Sequence, residues 1–87
     1  MKLTILGGGG FRVPLVYEAV ATGVTGLSVD EVALHDIGPA RLRTISAVIE
    51  GLGEQLIREG RAAPLPRLTA TTDLHEALTG ADFVFSA

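Results

Sequence analysis

The sequence has no cysteine and no tryptophan, and only one tyrosine, three phenylalanines and one methionine among its 87 residues. Without cysteine there is neither a disulfide framework nor a thiolate zinc site, and the composition fits a reducing compartment. Few aromatics alongside a hydrophobic content of 47% suit an α/β layer structure rich in Ala, Val and Leu, not a disordered chain. An excess of positive charge is also missing. Seven Lys and Arg stand against ten Asp and Glu, for a net charge of −3 with the signs scattered. No basic stripe results, which argues against nucleic acid as a partner. Long apolar runs are absent as well: the first breaks at Gly7, too early for a signal-peptide core, and none later approaches a membrane span. The expectation is one small soluble cytoplasmic domain at most.

Glycine, by contrast, is plentiful. Gly7-Gly8-Gly9-Gly10 follows Lys2-Leu3-Thr4-Ile5-Leu6 directly, with Phe11 and Arg12 next. A glycine run closing a short β-type segment reads as the strand-to-helix turn that cradles a dinucleotide pyrophosphate. Missing side chains let backbone N–H groups approach the phosphates, and the following helix adds partial positive charge. Against G-x-G-x-x-G, one register gives Gly7, Gly9 and then Arg12; the other gives Gly8, Gly10 and then Val13. Both lack the third glycine. A mononucleotide P-loop would need Gly-Lys-Ser/Thr at its end, and no lysine follows. Arg12 stands at the helix start, either to neutralise a pyrophosphate or substrate phosphate or as a solvated surface arginine.

The rest of the chain alternates in period. Lys2 to Leu6 is a first strand buried on both faces. Arg12 to about Thr22 forms a helix with Leu15, Val16, Ala19 and Val20 on one face and Pro14 in its first turn. Gly23 and Gly26 punctuate a loop before a second strand, Glu31 to Asp36. Pro39 opens a longer helix with a stripe at Leu42, Ile45, Ile49, Leu52 and Leu56. Glu54 and Arg58 are spaced to pair, and Gly51 and Gly53 weaken the helix interior. After a turn from Gly60 to Pro66, Arg67 to Thr71 is a third strand. Asp73 caps a short helix, with Glu76 three residues on, that stops at Gly80. Asp82 to Ala87 is a fourth strand. The order β-α-β-α-β-α-β implies a partial Rossmann-type doubly wound parallel sheet, α/β in class, with strand order 3-2-1-4. Two of the usual six strands are missing, so the chain reads as the N-terminal fragment of a nucleotide-binding domain.

Asp36 ends the second strand roughly 25 residues after the glycines, the separation expected of the carboxylate that binds the adenosine ribose hydroxyls. An anion there repels the 2′-phosphate of NADP and favours NAD. The same residue also suits a turn ahead of Gly38-Pro39, and the two roles are compatible. Arg41 or Arg43 is near enough to flank the adenine, or else lies on a solvated helix face. His35, His75 and Tyr17 form no ligand cluster, and Asp73, Glu76 and Asp82 read as capping and turn residues.

Gly7 to Val16, Glu31 to Asp36, Thr71 to Leu74 and Gly80 to Ala87 together resemble the N-terminus of glycoside hydrolase family 4, and within it the 6-phospho-β-glucosidases. The resemblance covers the whole chain but about the first fifth of a full member. Glycines followed by Pro14 separate the family from lactate- and malate-type dehydrogenases of the same fold. Many members carry Ser at the position of Gly10, Thr at Val13 and an acid at Gly38.

The resemblance implies NAD, a divalent metal (usually manganese), a phosphorylated sugar substrate and a homo-oligomeric full-length protein. It implies hydrolysis by oxidation at C3, loss of the C2 proton to a tyrosine, elimination of the aglycone, addition of water and return of the hydride. Cofactor contacts would fall on Gly7, Gly8, Gly9, Gly10, Phe11, Arg12, Asp36 and Arg41. The metal ligands and the tyrosine base would lie beyond Ala87, leaving no catalytic residue here and an isolated chain without activity. A fragment of an NAD-dependent 2-hydroxyacid dehydrogenase and a non-catalytic nucleotide-sensing module are the alternatives.

Overall fold

The computed structural model describes residues 1–7, 12–26, 28–61 and 65–86. Its elements are β1 (Lys2–Leu6), α1 (Val13–Ala21), β2 (Glu31–His35), α2 (Pro39–Arg58), β3 (Arg67–Thr71), α3 (Leu74–Leu78) and β4 (Phe83–Ser86). The strands form one parallel sheet in the order β3-β2-β1-β4, as the alternation of periods predicts.

Register decides which side chains reach which layer. Leu3 and Ile5 stand level with Val32 and Leu34, and successive strand residues point to opposite faces. Ile5, Val32 and Leu34 therefore share the face on which Val13 and Tyr17 of α1 and Leu42, Ile45 and Ile49 of α2 close the core. The other face carries α3. There the fully buried Thr4 donates from Oγ1 to the Ala77 carbonyl at 2.6 Å, tying β1 to that helix. Glu31 joins three strands on the same face, accepting from Arg67 Nη2 at 2.8 Å and Thr69 Oγ1 at 3.0 Å, with Lys2 Nζ at 4.0 Å. Burial alone would push its carboxyl up; the Arg67 and Thr69 hydrogen bonds and the Lys2 charge outweigh that and hold it below the usual glutamate range. β4 is the least covered strand, with Phe83, Val84 and Phe85 all exposed.

The local signals hold with small shifts. Pro39 occupies the first turn of α2, where its missing N–H costs nothing. Asp73 caps α3 by accepting from the Glu76 N–H at 3.2 Å. Its own N–H goes to Thr71 Oγ1 at 3.0 Å, so the reciprocal Glu76 contact of a full capping box is not needed. The second strand ends at His35, one residue before Asp36, and β4 begins at Phe83 because both backbone and side chain of Asp82 bond Lys2. Ala87 lies outside the described residues.

Three expectations need correction. The buried face of α1 is Val13 and Tyr17, with Val16, Val20 and Ala21 partly covered, and Leu15 is exposed. A nine-residue helix this apolar presents overlapping stripes, and the Val13–Tyr17 pair one turn apart sets the phase. Second, among the described residues no ion pair joins Glu54 to Arg58; the nearby pairs run from Arg61 to Glu18 at 2.8 Å and to Glu59 at 3.4 Å. Third, α2 runs unbroken through both internal glycines.

Those two glycines differ in what surrounds them. A Cβ on Gly51 meets nothing within 4 Å, whereas one on Gly53 would lie 3.0 Å from Leu65 Cδ1 and 3.2 Å from Tyr17 Oη. Gly53 thus admits the Tyr17 ring beneath α2. Gly51→Ala is expected to raise stability by about 0.8–1.0 kcal/mol from helix propensity. Gly53→Ala should gain nothing, because the new methyl crowds a buried ring. Urea midpoints above wild type for the first and at or below it for the second are the expected readings; an equal rise for both would refute the contact.

Candidate functional site

In a parallel sheet every strand ends at the same edge. Leu6 is level with His35 of β2 on one side and with Ser86 of β4 on the other, and His35 with Thr71 of β3. From β1 the chain builds outward through β2 and β3, then crosses back to β4 on β1's other flank. Strand order reverses at β1, and the crevice outside the carboxyl ends of β1 and β4 is where ligands bind in such sheets.

Gly7 opens that crevice. It leaves β1 at φ 73°, a backbone conformation that penalises any Cβ. Gly8, Gly9, Gly10 and Phe11 lie outside the described residues. Arg12 follows as the exposed N-cap residue of α1, with no side-chain cap bond and no acidic residue in the first turn of that helix. The partial positive charge of the helix start is therefore unopposed by a carboxylate within its own first turn.

Asp36 stands immediately past β2, next to β1 in the sheet, and is only 7% exposed. A buried carboxylate requires partners. Its Oδ1 accepts from the Gly38 N–H at 2.8 Å and from Arg41 Nη2 at 3.0 Å. The first bond is the turn role expected ahead of Pro39. The second was not legible in the spacing, although an arginine in the first turn after Gly-Pro is the signal that points to it. Arg41 thus sits at Asp36, while Arg43 lines an open groove on the other flank of α2, facing Ala70 and Thr71 of β3. That groove lies outboard of β2, away from the reversal at β1.

His35 is buried, with Nε2 3.2 Å from the Thr72 carbonyl, and His75 is exposed in α3. Tyr17 is core, and burial pushes its phenol above the ordinary tyrosine value, away from service as a base. Among the described residues no group of three or more His, Cys, Asp or Glu is placed to hold a metal ion. No helix there is long and apolar enough to cross a membrane.

The half-sheet reversing at β1, with a left-handed glycine and a carboxylate at adjacent strand ends, defines a Rossmann-type α/β unit. The profile of Family 4 glycosyl hydrolase matches residues 2–87, and the chain belongs to that family.

Solved structures agree on the fold. A 6-phospho-beta glucosidase from Thermotoga maritima, solved with manganese, NAD+ and glucose-6-phosphate, superposes with a TM-score of 0.81 at 16% identity, covering 100% of this chain and 19% of that one. A 6-phospho-alpha-glucosidase from gut microorganisms, solved with NAD and glucose-6-phosphate, gives 0.83 at 23% identity, over 99% and 19%. Another structure of such an enzyme, with NAD and Mn2+, gives 0.79 at 24%, over 98% and 18%. The chain therefore spans about a fifth of the length of these relatives. No curated protein matches it in sequence. Family membership favours the hydrolase over the hydroxyacid dehydrogenase and the nucleotide-sensing module.

Proposed function

We propose that the chain is the N-terminal part of the NAD-binding domain of a cytoplasmic 6-phospho-β-glucosidase. The observation that carries the cofactor reading is Asp36, a nearly buried carboxylate one strand from the turning Gly7 at the reversal of the sheet. The donor set suits a dinucleotide. Gly7 turns without a side chain, the start of α1 presents the positive end of its dipole with Arg12 as N-cap, and Asp36 is an acceptor for ribose hydroxyls.

In this reading Gly7, Gly8, Gly9, Gly10, Phe11 and Arg12 hold the pyrophosphate, Asp36 the adenosine ribose, and Arg41 flanks the adenine. NAD supplies reversible hydride acceptance at C3 of the phosphosugar. This segment's work is to bind and orient the cofactor. The divalent metal, its ligands and the tyrosine base belong to other parts of the protein. The relatives include both 6-phospho-α- and 6-phospho-β-glucosidases; the β assignment rests on the sequence resemblance alone.

Calorimetric titration of the chain is expected to give weak binding of NAD and weaker binding of NADP. Equal affinities would remove the Asp36 argument. Incubated with an aryl 6-phospho-β-glucoside, NAD and Mn2+, the same chain should release no aglycone; sustained turnover would overturn the division of labour.

A further inference from the structure

We infer that Arg41 sets the choice between NAD and NADP, as a latent ligand for an adenosine 2′-phosphate that Asp36 holds in check. The inference rests on the reading of the β2 end as the ribose end of the cofactor site. A carboxylate at that position selects NAD by repelling the extra phosphate. Here the carboxylate does not act alone, because the Arg41 guanidinium is 3.0 Å from it. A phosphate brought near Asp36 therefore meets a paired charge, and the repulsion is only partial.

Two features keep the arginine in position. Gly38 leaves room for it: a Cβ there would lie 2.9 Å from Arg41 Nε and 3.3 Å from Nη2. The guanidinium rests against bare backbone, in a place that any larger residue at 38 would push it from. The Gly38 N–H also bonds the same carboxylate oxygen, so the turn, the acid and the arginine form one unit. Meanwhile the Arg41 side chain is 64% exposed, and Asp36 is its one side-chain partner among the described residues. A guanidinium carries five N–H donors in the fork geometry that suits phosphate, and Asp36 engages it through Nη2. Removing the charge of Asp36 leaves an arginine ready for the phosphate that Asp36 had excluded.

Asp36→Asn is the decisive variant, since it keeps an oxygen for the Gly38 N–H while removing the charge. It is titrated with NAD and with NADP beside the wild type, Arg41→Ala and the double variant, with circular dichroism to verify the fold. Asp36→Asn should tighten NADP by about tenfold or more, the worth of one charge-assisted bond. Adding Arg41→Ala should cancel that gain. Arg41→Ala alone should sharpen the preference for NAD, because the carboxylate then repels unpaired. An Asp36→Asn variant with no gain for NADP, or a double variant that keeps the gain, overturns the inference while leaving NAD binding intact. A wild-type chain that binds neither nucleotide overturns the cofactor reading itself, and this one with it.

Discussion

Ile49→Ala should remove about 2–5 kcal/mol of folding stability, the cost of emptying a well-packed aliphatic site. Ile49 is completely buried at the middle of α2, within the cluster formed by Ile5, Val32 and Leu34 of the sheet and Val13 and Tyr17 of α1. Neighbours on three elements cannot all relax into one gap, which puts the site toward the costly end of the range. A chain of 87 residues has roughly 4–13 kcal/mol in total to lose. The variant should therefore melt far below the wild type or fail to fold at ambient temperature. Val48→Ala, one residue earlier and 49% exposed, should stay within about 0.5 kcal/mol. Denaturant midpoints that fall equally for the two would mean that the α2 stripe does not seat on the sheet.

Gly7→Val carries the second large effect, and it reports on the site as well as the fold. A β-branched residue forced to φ 73° costs about 1–3 kcal/mol. Gly23 provides the control, with φ 77° and open space around its missing Cβ, in the loop after α1. Gly23→Val should lose a similar amount of stability and bind NAD as before. Gly7→Val should lose stability and NAD binding together, because its side chain also projects at the phosphate turn. If both variants bind NAD equally, Gly7 serves the turn and not the nucleotide.

Much of this architecture could be read from periodicity, because the signals are local and agree with one another. Near-continuous apolar strands, Pro39 at a helix start and Asp73 at another each fix an element without reference to the rest of the chain. The parallel order then follows from the alternation of strand and helix. What escaped the sequence depended on three dimensions. The phase of α1 is chosen by what Val13 and Tyr17 meet, and Leu15 is as apolar as either. By sequence alone Gly53 is a weak point of α2; in three dimensions it makes room for Tyr17. At the site, Asp36 was legible as a strand-end acid, but its pairing with Arg41 was not, since five residues across a turn is no repeat of helix or strand.

The level ending of β1, β2 and β4 has a consequence for how this segment is free to vary. Leu6, His35 and Ser86 are in step, and neighbouring strands are spaced about 4.8 Å apart. Gly7 and Asp36 are therefore held at a fixed lateral interval by the sheet. Substitutions along β1 or β2 leave that interval alone. A one-residue insertion or deletion inside β2 does not, because it would send Val32 and Leu34 to the wrong face or carry Asp36 out of line with Gly7. Strand length here works as a gauge: side chains are free to drift over generations, and the count of residues between Asp30 and Asp36 is not.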